Sequence, residues 1–108
     1  MELNENILSE IKETIRPFGV DKIILFGSYA NGKAGRESDI DLLVIKRTKK
    51  SEVRKERLAL KKALYNRLSS YNLSFDLLVD DEKRIKERIG MGDLFYKEIY
   101  YNGKVIYA

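Results

Sequence analysis

An α+β domain, with a small mixed β-sheet flanked by α-helices, is the fold class that three features of the sequence predict. Short apolar runs ending in glycine or polar clusters alternate with segments whose apolar residues recur at helical spacing. In order they read α-β-(short α)-β-α-β-α-β, the pattern of a sheet covered by helices. The chain has 108 residues and no internal repeat, linker or low-complexity tract, so a single domain, 1–108, with one core is expected.

Leu3, Ile7, Leu8, Ile11 and Ile15 fall on one helical face. That helix should stop at Arg16-Pro17-Phe18-Gly19, where proline lacks an amide and glycine permits the turn. Lys22 to Phe26 is a short apolar run closed by Gly27-Ser28, expected as a strand buried on both faces. Gly27-Ser28 then opens a short helix through Tyr29-Ala30-Asn31. Beyond Gly32 and Gly35, Asp39 to Ile45 reads as a second strand. Ser51 is placed to cap a long helix with the stripe Val53, Leu60, Leu64, Leu68 and Tyr71. A third strand, Leu73 to Val79, follows the turn at Tyr71-Asn72. Asp80 or Asp81 is expected to cap a helix carrying Ile85 and Ile89, interrupted at Gly90-Met91-Gly92. A last helical turn or two spans Asp93 to Tyr100, and Lys104 to Tyr107 follows Asn102-Gly103 as an edge strand.

Composition narrows the chemistry. Cysteine, histidine and tryptophan are absent, which excludes disulfide frameworks, zinc fingers, thiol nucleophiles and any mechanism that needs an imidazole. Catalysis must then use carboxylates, lysine, tyrosine, hydroxyls or an oxygen-loving metal ion. No apolar run approaches the roughly 18–20 residues of a membrane span, and Met1-Glu2-Leu3-Asn4-Glu5 lacks the basic and apolar regions of a signal peptide. A cytoplasmic protein with no membrane partner is expected.

The stretch from Gly27 to Asp41 carries the strongest chemical signal. Asp39 and Asp41 are two apart in an extended segment, so both side chains leave the same face. Carboxylates that close repel unless a cation or proton sits between them, and magnesium is the natural cation for hard oxygen donors. Gly27-Ser28, at the exit of an apolar strand, offers an approachable backbone and a hydroxyl to an anion such as phosphate. An anion cradle beside a cation site is what a metal-bound nucleoside triphosphate requires. A P-loop overlaps this stretch, since Gly27-x-x-x-x-Gly32-Lys33 follows a strand. It fails at Ala34, where the motif needs a magnesium-binding hydroxyl, and at Gly35, which interrupts the helix that should follow.

Gly27-Ser28, ten intervening residues and Asp39-Ile40-Asp41 resemble the G-S-x(10)-D-x-D signature of minimal nucleotidyltransferases in the polymerase-β-like superfamily, the MNT proteins. The resemblance continues through Ser38-Asp39-Ile40-Asp41-Leu42-Leu43-Val44, and Asn31 stands where many members carry arginine. It implies the nucleotidyltransferase fold and transfer of a nucleoside monophosphate, most often AMP from ATP, onto a hydroxyl. Asp39 and Asp41 would bind magnesium, two ions in the family pattern, and Gly27, Ser28 and Ser38 would bind the nucleotide. The pattern also calls for a third carboxylate on a neighbouring strand. Asp76 fits, as a lone acid in an apolar strand where an unpartnered charge would be costly; Asp80, beside Asp81 and Glu82, reads as a helix cap. Members often pair with a small helical HEPN-type toxin as its antitoxin, and some attach AMP to a toxin tyrosine. A binding-only antitoxin and a small-molecule nucleotidyltransferase are the alternatives.

The remaining charge is localised. Lys46 to Lys62 holds nine lysines or arginines against two glutamates, a local +7 in a chain of net +4. Most of these read as a solvated helix face. No aromatic residue interleaves them, which argues against a stacking platform for single strands and against direct nucleic-acid binding. The tyrosines at 96, 100, 101 and 107 are expected to pack the C-terminal segment.

Overall fold

A computed structural model describes residues 3–35 and 37–108. It contains a four-stranded mixed sheet in the order β3-β2-β1-β4, built from β1 (Lys22–Phe26), β2 (Ile40–Ile45), β3 (Phe75–Asp80) and β4 (Lys104–Tyr107). β1 runs antiparallel to β2 and β4, whereas β2 and β3 are parallel. A parallel pair needs a crossover, and α2 (Val53–Arg67) supplies it.

α1 (Glu5–Ile15) and α2 cover one face, burying Ile11, Ile15, Leu60, Leu64 and Leu68 against Ile23, Leu25, Leu42, Val44, Phe75, Leu77 and Val79. α3 (Glu82–Gly90) and α4 (Leu94–Asn102) cover the other, where Ile85, Tyr96 and Ile99 meet Ile24, Leu43 and Ile45. The two clusters use alternate residues of the same strands, the period of two a sheet covered on both faces requires. Among the described residues no helix is long and apolar enough to cross a membrane.

The helix starts follow local chemistry, with two corrections to the sequence reading. Asn4 caps α1 by accepting from the Ile7 amide at 2.8 Å, and Asp93 caps α4 by accepting from the Tyr96 amide at 3.0 Å. Ser51 does not cap α2. It lies inside a 3₁₀ turn, Lys50–Glu52, and α2 begins at Val53, with Glu52 in the cap position and no side-chain cap bond. Asp81 rather than Asp80 caps α3, accepting from the Arg84 amide at 3.0 Å. Asp80 is the last residue of β3, and its buried carboxylate bonds the Arg84 guanidinium at 2.6 Å. Arg84 also donates to the Thr48 carbonyl, so this one arginine fastens α3 to the ends of both parallel strands.

The basic stretch divides in two. Lys46 is buried, and its ammonium donates to the Phe18 carbonyl at 2.7 Å and to Glu56 at 2.8 Å, tying the exit of β2 to α2 and to the end of α1. Arg47, Lys49, Lys50, Arg54, Lys55 and Arg57 are exposed. They lie where β2 ends and α2 starts, at the opposite end of β2 from Asp41.

Candidate active site

Three strand ends meet at one edge of the sheet, because β1 runs toward that edge while β2 and β3 start from it. Phe26 lies opposite Asp41, and Asp41 lies opposite Asp76. Cross-strand partners share a face, and neighbouring strands are roughly 4.8 Å apart. Phe26, Asp41 and Asp76 therefore form one row across three strands, on the face that α3 and α4 cover. Asp39 is exposed just before β2, two residues ahead of Asp41.

Asp76 is exposed near the start of β3. The expected cost of burying it therefore does not arise; its register against Asp41 is what marks it. Asp41 is half-buried, and its carboxyl is pushed above the usual carboxylate range by burial first, then by Asp76 and Asp39. The three acids named from the sequence thus share one electrostatic environment.

Gly27 brings the backbone against that cluster. Its φ is +73°, and a Cβ placed there would overlap the Asp41 Oδ2. Glycine is required for both reasons, the left-handed backbone and the absent side chain. The expected helix after it is a single 3₁₀ turn, Gly27–Tyr29. The amides of Ala30 and Asn31 fold back onto the Gly27 carbonyl at 3.1 and 3.3 Å. A turn this short has almost no macrodipole, so a helix dipole contributes little to anion binding here. What remains for an anion is the close backbone and the Ser28 hydroxyl, which has no hydrogen-bond partner among the described residues.

Ser38 serves the loop that delivers Asp39. Its Oγ accepts from the Gly35 amide at 2.9 Å, while its own amide donates to the Gly35 carbonyl at 3.2 Å. Its hydroxyl proton is left for another acceptor. Arg36, in the spacer of the signature, lies outside the described residues. Asn31, at the position of the family arginine, accepts from the Lys33 amide at 3.2 Å.

Sequence reading did not anticipate the wall on the other flank of Gly27. A cavity of about 280 Å³ opens there between the glycine turn and α4. Phe26 and Phe95 line it as an edge-to-face pair with ring centroids 6.0 Å apart, beside Glu98 and Asn102. No local pattern signals this pocket, because it exists only once α4 docks beside β1.

Among the described residues no three acidic side chains converge tightly enough to enclose a metal ion unaided. Magnesium does not need such a cage, since it is commonly held by one or two carboxylates together with substrate phosphates. Asp39, Asp41 and Asp76 are hard oxygen donors with no lysine or arginine partner among the described ion pairs. Crowding already raises the cost of charging Asp41. This donor set fits a divalent cation.

Comparison with known proteins points the same way. Residues 5–106 match the family described as the nucleotidyltransferase domain. A protein of Methanocaldococcus jannaschii with the provisional name protein adenylyltransferase is 38% identical over 82 residues, covering 73% of this chain and 76% of its own. The protein adenylyltransferase MntA of Thermococcus cleftensis is 49% identical over 41 residues, covering 37% of this chain and 41% of its own.

Proposed function

The chain belongs to the nucleotidyltransferase domain family, and from that premise we propose that it moves AMP from magnesium-bound ATP to a side-chain hydroxyl of another protein. The observation that carries this reading is the row that sets Asp41 beside Asp76, with Gly27 pressed against the Asp41 carboxylate. A protein acceptor is supported by the names of both relatives, each a protein adenylyltransferase. The family resemblance makes a tyrosine of a HEPN-type toxin the proposed acceptor, and an antitoxin in the cytoplasm the proposed role.

Each residue then has a task. Gly27 lets the triphosphate approach the backbone, and the Ser28 hydroxyl donates to a phosphate oxygen. Asp39, Asp41 and Asp76 hold the divalent cation, magnesium in this reading, which when bound neutralises charge on the α-phosphate and on the departing pyrophosphate. Asp76, exposed at the outer end of the row, takes the proton of the acceptor hydroxyl as its oxygen bonds the α-phosphorus. The α–β phosphoanhydride bond breaks and pyrophosphate leaves. No imidazole exists to take that proton, and Asp76 faces the side from which a protein acceptor can approach.

Incubating the protein with a HEPN-type partner, ATP and magnesium, and then measuring intact masses, tests the proposal. The partner should gain AMP units, and the gain should vanish with Asp39→Asn while the complex still forms. If the partner is bound and inhibited without any mass change, the binding-only antitoxin replaces this reading.

A further inference from the structure

We infer that Tyr65, on the crossover helix α2, is a positioning residue for Asp76: its hydroxyl fixes the start of β3, which keeps the Asp76 carboxylate in the row with Asp41. The inference rests on the nucleotidyl-transfer reading and adds a residue, outside the row, on which the geometry of the active edge depends.

The hydrogen bonds of β3 show why a side chain is needed. Just before the strand the Ile40 amide donates to the Ser74 carbonyl at 2.8 Å, and at its end the Lys46 amide donates to the Asp80 carbonyl at 3.1 Å. Even-numbered residues here therefore turn their backbone groups toward β2, and odd-numbered residues turn theirs the other way. No strand lies on that other side, because β3 is the outermost in the sheet. The Phe75 amide, one residue before Asp76, thus has no ladder partner, yet Phe75 is only 3% exposed. A buried amide needs an acceptor. Tyr65 supplies it, its hydroxyl accepting from the Phe75 amide at 3.2 Å.

Ring packing aims that hydroxyl. The Tyr65 and Phe75 rings meet edge-on, with centroids 5.8 Å apart and an interplanar angle of 89°. Tyr65 lies in the last turn of α2, so the helix that makes the parallel pair possible also holds the strand it delivers. The start of β3 is then held from both sides, by β2 through Ser74 and by Tyr65 through Phe75.

Asp76 depends on this hold more than Asp41 does. Asp41 lies in a central strand, with Phe26 opposite it on one side and Asp76 on the other. Asp76 is the second residue of an edge strand, and among the described residues no side chain bonds its carboxylate. Its place is set by the backbone that carries it. The Phe75 and Asp76 side chains leave opposite faces, so Tyr65 acts on Asp76 through that backbone and not by touching the carboxylate. A strand start that opens locally takes the carboxylate out of the row, and a shift of about 1 Å is enough to slow a reaction about a hundredfold.

Tyr65→Phe, Asp76→Ala and the double variant test the inference, by single-turnover AMP transfer to a HEPN-type partner and by amide hydrogen exchange of the metal-free protein. Tyr65→Phe keeps the ring and removes the hydroxyl. It should slow transfer about 10- to 100-fold and raise the magnesium concentration that half-saturates the rate. Exchange should speed up at the Phe75 and Asp76 amides while Ile24 and Leu43, in the central strands, stay protected. In the Asp76→Ala background the same change should slow transfer no further. A wild-type rate in Tyr65→Phe, equal slowing in both backgrounds, or unchanged exchange at Asp76 overturns the inference while leaving nucleotidyl transfer standing. If the wild type transfers no AMP to its partner, the transfer reading falls, and the task given to Tyr65 falls with it.

Discussion

Asp41 sits where burial and two like charges meet, so its carboxylate is a poor resident of the metal-free protein. The same crowding makes it a good ligand once a cation and a triphosphate arrive. Asp41→Asn should therefore cut AMP transfer by about a hundredfold or more, while leaving the metal-free melting temperature unchanged or slightly higher. Chelation of divalent ions should abolish transfer by the wild type without lowering its melting temperature. A variant that transfers AMP at the wild-type rate, or that melts well below it, would show that Asp41 is structural. Gly27 makes the opposite case. An alanine there must adopt a φ of +73° and push its Cβ into the Asp41 carboxylate. The backbone penalty alone is about 1–2 kcal/mol. Gly27→Ala should lower the urea midpoint and also lose magnesium–ATP binding, two effects from one methyl group. Both residues were legible in the sequence, since a glycine ending an apolar strand and acids spaced two apart are local signals. The 3₁₀ turn after Gly27 was not, because one turn and the start of a helix carry the same residues.

Three aspartates lie at or beside β3, and the element assigns each a different task. Asp76 is the second residue of the strand, opposite Asp41, Asp80 ends it in an ion pair with Arg84, and Asp81 caps α3. Asp81→Ala should cost about 1 kcal/mol, the usual loss of a helix cap. Asp80→Ala should cost about 2 kcal/mol, because it leaves a partly buried guanidinium without its carboxylate. Neither should slow transfer directly, whereas Asp76→Ala should slow it by orders of magnitude at unchanged stability. Denaturant unfolding and single-turnover rates on the three variants separate these roles, and a rate loss in Asp80→Ala exceeding that in Asp76→Ala would refute the register. The sequence marked Asp76 as a lone acid in an apolar strand, which is a local signal. Which of two adjacent aspartates caps a helix depends on where the ladder ends, and that is set by pairing with β2. On the same face, the Tyr100 hydroxyl donates to Glu82 and binds α4 to α3. That bond, with burial, raises the phenol to about 12, and the same bond, opposed by burial and helped by Lys86 and Lys22, holds the Glu82 carboxyl below its usual range. A raised phenol stabilises the fold below pH 10 and loses that contribution as pH climbs to about 12. A depressed carboxyl stabilises above its unfolded value of 4.5 and loses that contribution as pH falls. Tyr100→Phe should thus melt below the wild type at neutral pH and converge with it at both extremes. A constant gap across that range would mean that the hydroxyl contributes through packing alone.

Across the whole molecule, whose principal extents are 38 × 27 × 21 Å, charge and chemistry occupy opposite ends. The carboxylates stand where β2 begins; Lys49, Lys50 and Arg54 stand beyond where it ends. Local charge counting could find that basic stretch, and the direction of β2, which carries the chain away from Asp41, decides which end of the domain receives it. Six strand residues at about 3.3 Å each put the two groups roughly 20 Å apart. At 0.15 M salt the Debye length is about 8 Å, so almost none of the attraction between these cations and a bound triphosphate survives. At 0.01 M the Debye length is about 30 Å, and roughly half of it remains. One unit charge acting on a doubly charged magnesium–ATP complex through water at about 20 Å then contributes on the order of 0.2 kcal/mol. Replacing Lys49, Lys50 and Arg54 together by glutamine should weaken magnesium–ATP binding about two- to threefold at 0.01 M salt. At 0.15 M the same titration should show no measurable change. A large loss at the higher salt would mean that these side chains touch the nucleotide, and the active edge would have to be moved to the other end of the sheet.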